Sequence, residues 1–102
     1  MEFESNPLVN RKDIHNFELF IDGHRSFIDY LEKGDKFYLV HTEVAPELEG
    51  RGVAAALVEK VFRYLEENKF KAVPLCPYIR SFLKRHPEWS SRVIDSSAAG
   101  DQ

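Results

Sequence analysis

Apolar residues alternate with polar ones in the first half of the chain, then recur every three or four positions, a change of period from strand to helix. Phe17, Leu19 and Ile21 alternate with more polar neighbours, and the Asp22-Gly23 pair after them is a strong signal for a type I′ hairpin turn. In "RSFIDYL", Phe27, Asp29 and Leu31 fall on one face and Ile28 and Tyr30 on the other. The turn signal "EKGDK" leads into "KFYLVHTEV", whose continuous apolar middle, Phe37 to Val40, predicts a central strand buried on both faces. Residues 16 to 44 therefore read as an antiparallel meander of three strands.

Helical spacing follows. Ala54, Leu57, Val58, Val61 and Leu65 form one face and Glu59, Lys60, Arg63, Glu66 and Glu67 the other, which predicts an amphipathic helix from about Gly50 to Glu67, stopped by Asn68. Glu59 and Arg63 stand at i and i+4, a stabilising pair. "KAVPLC", residues 71 to 76, reads as a further strand. A helix lies between it and the strand at 36 to 44, so a right-handed crossover making the two parallel is favoured. A last helix starts at Pro77, with Tyr78, Ile79, Phe82 and Leu83 on one face, and ends by Pro87. The fold class is α/β (α+β): a mixed sheet built from the meander, then helix, parallel strand and C-terminal helix. Residues 1 to 89 form a single domain on this reading, and the Ser, Ala, Gly and Asp-rich stretch 90 to 102 a mobile tail.

Composition narrows the function classes. At 102 residues and 43% hydrophobic content, the chain has the apolar area for one modest core without disulfides or a structural metal. Cys76 is the lone cysteine, and four scattered histidines lack zinc-site spacing, so no metal centre and a reducing, cytoplasmic setting are expected. A net charge of −3 offers no positive field for nucleic acid or anionic lipid. "MEFESNPLVN" has neither a basic start nor an apolar targeting core, and no run approaches the roughly 18 apolar residues of a membrane span.

"LEGRGVAAALVEK", residues 48 to 60, carries the most chemistry. The first turn of a helix has unpaired N–H groups and the positive end of the macrodipole, so it attracts anions. Gly50 and Gly52 remove side-chain bulk and permit backbone conformations in which several N–H groups converge, and Arg51 adds a charge. Ala54 and Ala55 keep the turn narrow for a ligand lying across it. From spacing alone a plain packing loop explains the glycines equally well. The stretch is neither a Walker A loop nor a GxGxxG fingerprint.

The same stretch resembles the pyrophosphate-binding motif Q/RxxGxG/A of the GCN5-related N-acetyltransferases, with Glu49, Gly52 and Ala54 at its signature positions. Glu49 stands where that family has Gln or Arg. Residues 41 to 89 are similar to its small single-domain subgroup, in which "HTEV", "GRG" and "CPY" recur in this order. The resemblance implies acetyl-CoA as cosubstrate, with Thr42, Val44, Glu49, Gly50, Arg51, Gly52, Val53, Ala54 and Ala55 as cofactor-binding positions. It further implies that the pantetheine arm enters between two splayed parallel strands, and that an amide near Val44 polarises the thioester carbonyl.

Four side chains are catalytic candidates. Cys76, just before Pro77, is the expected N-cap of the last helix, where the dipole favours thiolate and nucleophilic attack on a thioester. Buried free cysteine is also a common packing residue. Glu43, expected on the cleft side of its strand, or His41 could deprotonate an incoming ammonium, and Tyr78 could protonate the departing CoA thiolate. Each also has a structural reading, as exposed carboxylate, packed imidazole or core ring. Lys84, Arg85 and His86 favour a helix C-terminus or contact distal phosphates. The chain lacks room for the helix pair that often shapes the acceptor site in this family, so an open acceptor side suited to a protein or polyamine amine is expected. A CoA-binding module without turnover and an interaction domain without a ligand are the competing readings.

Overall fold

Asp22 and Gly23 take φ of +52° and +80°, the two positive angles of a type I′ turn, and the strands on either side pair from Ile21↔His24 to Asn16↔Asp29. This hairpin sits inside a five-stranded sheet in the computed structural model, which describes residues 3 to 95. The strands are β1 (Leu8–Arg11), β2 (Asn16–Ile21), β3 (His24–Lys33), β4 (Lys36–Glu43) and β5 (Lys71–Pro74), in that spatial order. Helix α1 (Val53–Glu67) joins β4 to β5, and α2 (Pro77–Arg85) follows. The pairs from β1 to β4 are antiparallel, and β4 and β5 are parallel from Lys36↔Lys71 to Leu39↔Pro74, as the crossover argument requires.

Four sequence expectations need correction. The meander has a fourth strand, β1, whose four residues alternate too briefly to register as a pattern. Helix α1 starts at Val53 rather than Gly50, because Gly50 and Gly52 both take positive φ, +82° and +78°, and residues 50 to 52 form a turn. Strand β5 ends at Pro74, two residues early, because the chain turns there into α2. Nor is β4 buried on both faces. Phe37 and Leu39 are buried, whereas Val40 is 41% exposed.

A bulge follows Leu39. Tyr30 pairs with Leu39 but Asp29 pairs with His41, so Val40 is an extra residue bulged out of β4. Before the bulge Phe37 and Leu39 face the helices; after it Thr42, opposite Ile28, does. His41 and Glu43 consequently lie on the other face.

One core joins the sheet to both helices. Phe17, Leu19, Ile28, Tyr30, Phe37 and Leu39 meet Leu57, Val58, Val61 and Leu65 of α1, and Ile79 and Phe82 of α2. The opposite face has no helix among the described residues, and Phe20 and Leu31 are 46% and 54% exposed there. Glu18 is nonetheless buried on that face, covered by Arg25, whose Nε donates to it at 2.6 Å, and by Arg11. Asn16 links Arg25 to Asp29 beside it.

The segment after α2 is anchored as far as Asp95. The Ala72 N–H donates to Val93 C=O at 2.8 Å and the Asp95 N–H to Ala72 C=O at 2.9 Å, so the chain runs parallel to the outer edge of β5. Val93 is fully buried, Arg92 makes two hydrogen bonds to Glu66 at 2.7 and 2.9 Å, and Lys36 pairs with Asp95 at 2.8 Å. The mobile tail expected from residue 90 thus has no support up to 95, and 96 to 102 lie outside the described residues.

Candidate active site

The site begins where β5 leaves β4. Pairing stops at Leu39↔Pro74, and the N–H groups of Leu75 and Cys76 both donate to the Leu39 carbonyl at 3.0 Å as the chain turns into α2. Strand β4 continues from Val40 to Glu43 with β3 on one side and no described strand on the other. The two parallel strands therefore splay as the sequence led one to expect, leaving an unpaired backbone edge.

At the far end of that edge the chain makes a short turn at Pro46–Leu48, and buried Leu48 anchors it. The glycine turn comes next. Gly52 is the N-cap of α1 and has no side chain with which to cap it, so the N–H groups of Val53, Ala54 and Ala55 are the first-turn donors for which a helix has no internal acceptor. The first bond of the helical pattern runs from the Ala56 N–H to the Gly52 carbonyl, 3.1 Å. A Cβ placed on Gly50 or Gly52 would meet nothing within 4 Å, so open space adjoins the turn that leads into these amides. A phosphate fits that arrangement: donors at the positive end of a helix beside open space.

Val44, Glu49, Gly50, Gly52, Val53, Ala54 and Ala55 line one cleft of about 200 Å³, together with Leu48 and Tyr78. Most of the expected cofactor positions are therefore contiguous. Two lie outside the cleft lining. Arg51 is turned toward the β2–β3 hairpin, where its Nη1 donates to Asp22 at 2.9 Å, and its guanidinium lies 5.9 Å from the Phe3 ring. Thr42 sits on the helix side and accepts the Cys76 S–H at 3.4 Å.

Cys76 occupies the N-cap of α2 as expected and is 4% exposed. Tyr78 enters the cleft from the first turn of α2, and burial pushes its phenol above the ordinary value of 10. His41 and Glu43 face away from these two, on the open side of the sheet, with His41 Nε2 3.3 Å from Glu43 Oε1. Glu43, expected on the cleft side of its strand, is carried by the Val40 bulge to the face opposite the helices. The His41 ring also packs edge-on to Phe27, 6.4 Å between centroids. Sequence reasoning missed Asp22 as the partner of Arg51 and Leu48 as part of the cleft. The Asp22-Gly23 turn signal pointed to the first residue for a different reason; a lone leucine in a loop gives no signal.

The sequence pattern described as GCN5-related N-acetyl-transferase matches residues 16–93. This chain belongs to that family. The match runs from β2 through the segment anchored on β5, so the acetyltransferase domain includes Arg92 and Val93. Among solved structures, a GCN5-like protein from Staphylococcus aureus, solved by NMR, is 20% identical, with a TM-score of 0.65 over 89% of this chain and 90% of that one. The two share the fold. Comparison with curated proteins returns no match. Membership of the family supports acetyl transfer as the general chemistry, with acetyl-CoA the usual donor in the family. Among the described residues, no helix is long and apolar enough to cross a membrane.

Proposed function

We propose that the protein transfers the acetyl group of acetyl-CoA to an amine of a protein or polyamine by direct attack on the bound thioester. The observation that supports this most is one continuous surface. The unpaired edge of β4, Val44, the open amides of α1 and the Tyr78 ring adjoin one another, so a diphosphate, an extended arm and a thioester have successive partners along it. The amides of Val53 to Ala55 hold the diphosphate. The β4 edge pairs with the pantetheine amides, and the N–H near Val44 donates to the carbonyl oxygen as it gains charge.

Amine attack requires the neutral form. The His41 and Glu43 pair on the open face accepts the ammonium proton, directly or through water. The amine nitrogen then bonds to the carbonyl carbon, the C–S bond breaks, the Tyr78 hydroxyl gives its proton to the CoA thiolate, and the second proton shed by the amine nitrogen as the amide forms returns to the tyrosinate through water. Burial holds that phenol protonated at neutral pH. Only the short connection Lys12 to His15 separates β1 from β2, so among the described residues no helix pair encloses the acceptor side, which suits a large or extended acceptor.

Transient acylation of Cys76 is the second route. It is less favoured because the thiol is buried and donates to Thr42 on the side away from His41 and Glu43. Intact-mass analysis after incubation with acetyl-CoA separates the routes: product with unmodified Cys76 supports direct attack, and an acetyl adduct on Cys76 that chases into product supports acylation. Binding of acetyl-CoA without product on any polyamine or lysine peptide favours the non-catalytic reading. Absence of binding at millimolar acetyl-CoA removes both.

A further inference from the structure

A second hollow, of about 350 Å³, opens on the other side of the first turn of α1. Gly52 and Ala55 line it as well as the cleft, so the two spaces meet at the phosphate-binding turn. Its walls are aromatic. Phe82 and His86 come from the end of α2, Trp89 from the short helical turn after it, and Phe3 from the N-terminal segment. The Phe82 and His86 rings stack 4.5 Å apart between centroids, inclined by 34°.

The polar groups of the hollow are two carboxylates, the Arg51 guanidinium and the His86 imidazole, and the last two already face carboxylates. Arg51 is held by Asp22 at 2.9 Å, and His86 Nδ1 lies 3.8 Å from the Glu88 carboxylate. Glu59 accepts from Arg63 at 3.0 Å, a bond that leaves it further lone pairs. Such a surface favours a flat aromatic group and hydroxyl donors over a second phosphate dianion, which the carboxylates repel.

A ligand whose diphosphate rests on the amides of Val53 to Ala55, and whose acyl arm follows the cleft toward Tyr78, emerges beside Gly52 at its other end. Resting on the cofactor reading above, we infer that this hollow receives the adenosine end of CoA, with the base against the aromatic rings and the ribose hydroxyls facing the carboxylates, and that the 3′-phosphate contributes little to binding. Carboxylates are common acceptors for ribose hydroxyls, and stacking on one ring is worth about fivefold or more in affinity.

Trp89 is the only tryptophan in the sequence, so its emission reports on the hollow directly. Three ligands are titrated against the full chain by calorimetry and by Trp89 fluorescence: CoA, dephospho-CoA, and S-acetyl-4′-phosphopantetheine, which keeps the arm and one phosphate but has no nucleoside. CoA and dephospho-CoA are expected to shift Trp89 emission and to bind within about threefold of each other. The pantetheine thioester is expected to bind without moving the emission. His86→Ala should weaken both nucleotides about fivefold and leave the pantetheine thioester unaffected, a pattern that general loosening of the fold would not give. A silent Trp89 at saturating CoA, dephospho-CoA binding more than threefold weaker than CoA, or equal weakening of all three ligands by His86→Ala overturns the inference while leaving the cofactor reading in place. Failure of every ligand to bind overturns both.

Discussion

Gly52 shows how far a single residue can be argued. Its φ of +78° is a conformational demand, and the empty space where a Cβ would stand shows that no protein atom adds a steric one. Gly52→Ala should cost about 1 kcal/mol of stability from left-handed strain. It should lower CoA affinity at least as steeply, checked by thermal melts and calorimetry on the same preparation. Tyr78 invites a test in the other direction. Tyr78→Phe is expected to lower kcat roughly a hundredfold with little change in CoA affinity, as for loss of a general acid. Because burial raises the phenol above 10, the wild-type hydroxyl stays protonated through neutral and mildly alkaline pH, and its ionisation should not depress kcat below about pH 10. The glycines were legible in the sequence because a positive φ and a missing side chain are properties of the residue itself. The side on which His41 and Glu43 stand was not, because it depends on how β4 pairs with β3.

The elements were legible where a period persisted long enough to count. Helix α1 and strand β3 repeat their pattern over many residues, whereas β1 and β5 have four each and declared themselves poorly. The C-terminal segment was misread for a different reason: small polar residues dominate its composition, but Val93 and Ile94 suffice to dock it. Truncation before Arg92 removes both buried aliphatics and should cost on the order of 3 kcal/mol, measured by urea unfolding. The Arg92 hydrogen bonds hold the Glu66 carboxyl below its usual 4.5, so the folded form favours the ionised group. Its contribution is present above that value and lost as pH falls through the lower folded one. Exchange of the Ala72 and Asp95 amides, the two N–H groups that join this segment to β5, should therefore quicken between pH 5 and pH 3 relative to core amides after correction for intrinsic rates. Arg92→Ala should remove that difference.

At the scale of the whole molecule the asymmetry of the sheet dominates, with both helices in one core on one side and partly exposed apolar side chains on the other. Stability should follow that division. Leu57→Ala, fully buried against the sheet, is expected to cost about 2–5 kcal/mol, and Leu31→Lys on the open face to stay within about 0.5 kcal/mol of the parent in the same unfolding assay. Sequence periodicity anticipated the core face because alternation marks it on each strand; the uncovered face emerged only once every helix had been placed. The bulged Val40 then has a consequence for the evolution of such sites. Adding or deleting one residue in β4 would invert the inside-outside frame of everything downstream to Glu43, exchanging an imidazole and a carboxylate for a hydroxyl. Chains sharing this architecture but differing by that single insertion would present different side chains on each face without any substitution at the positions themselves.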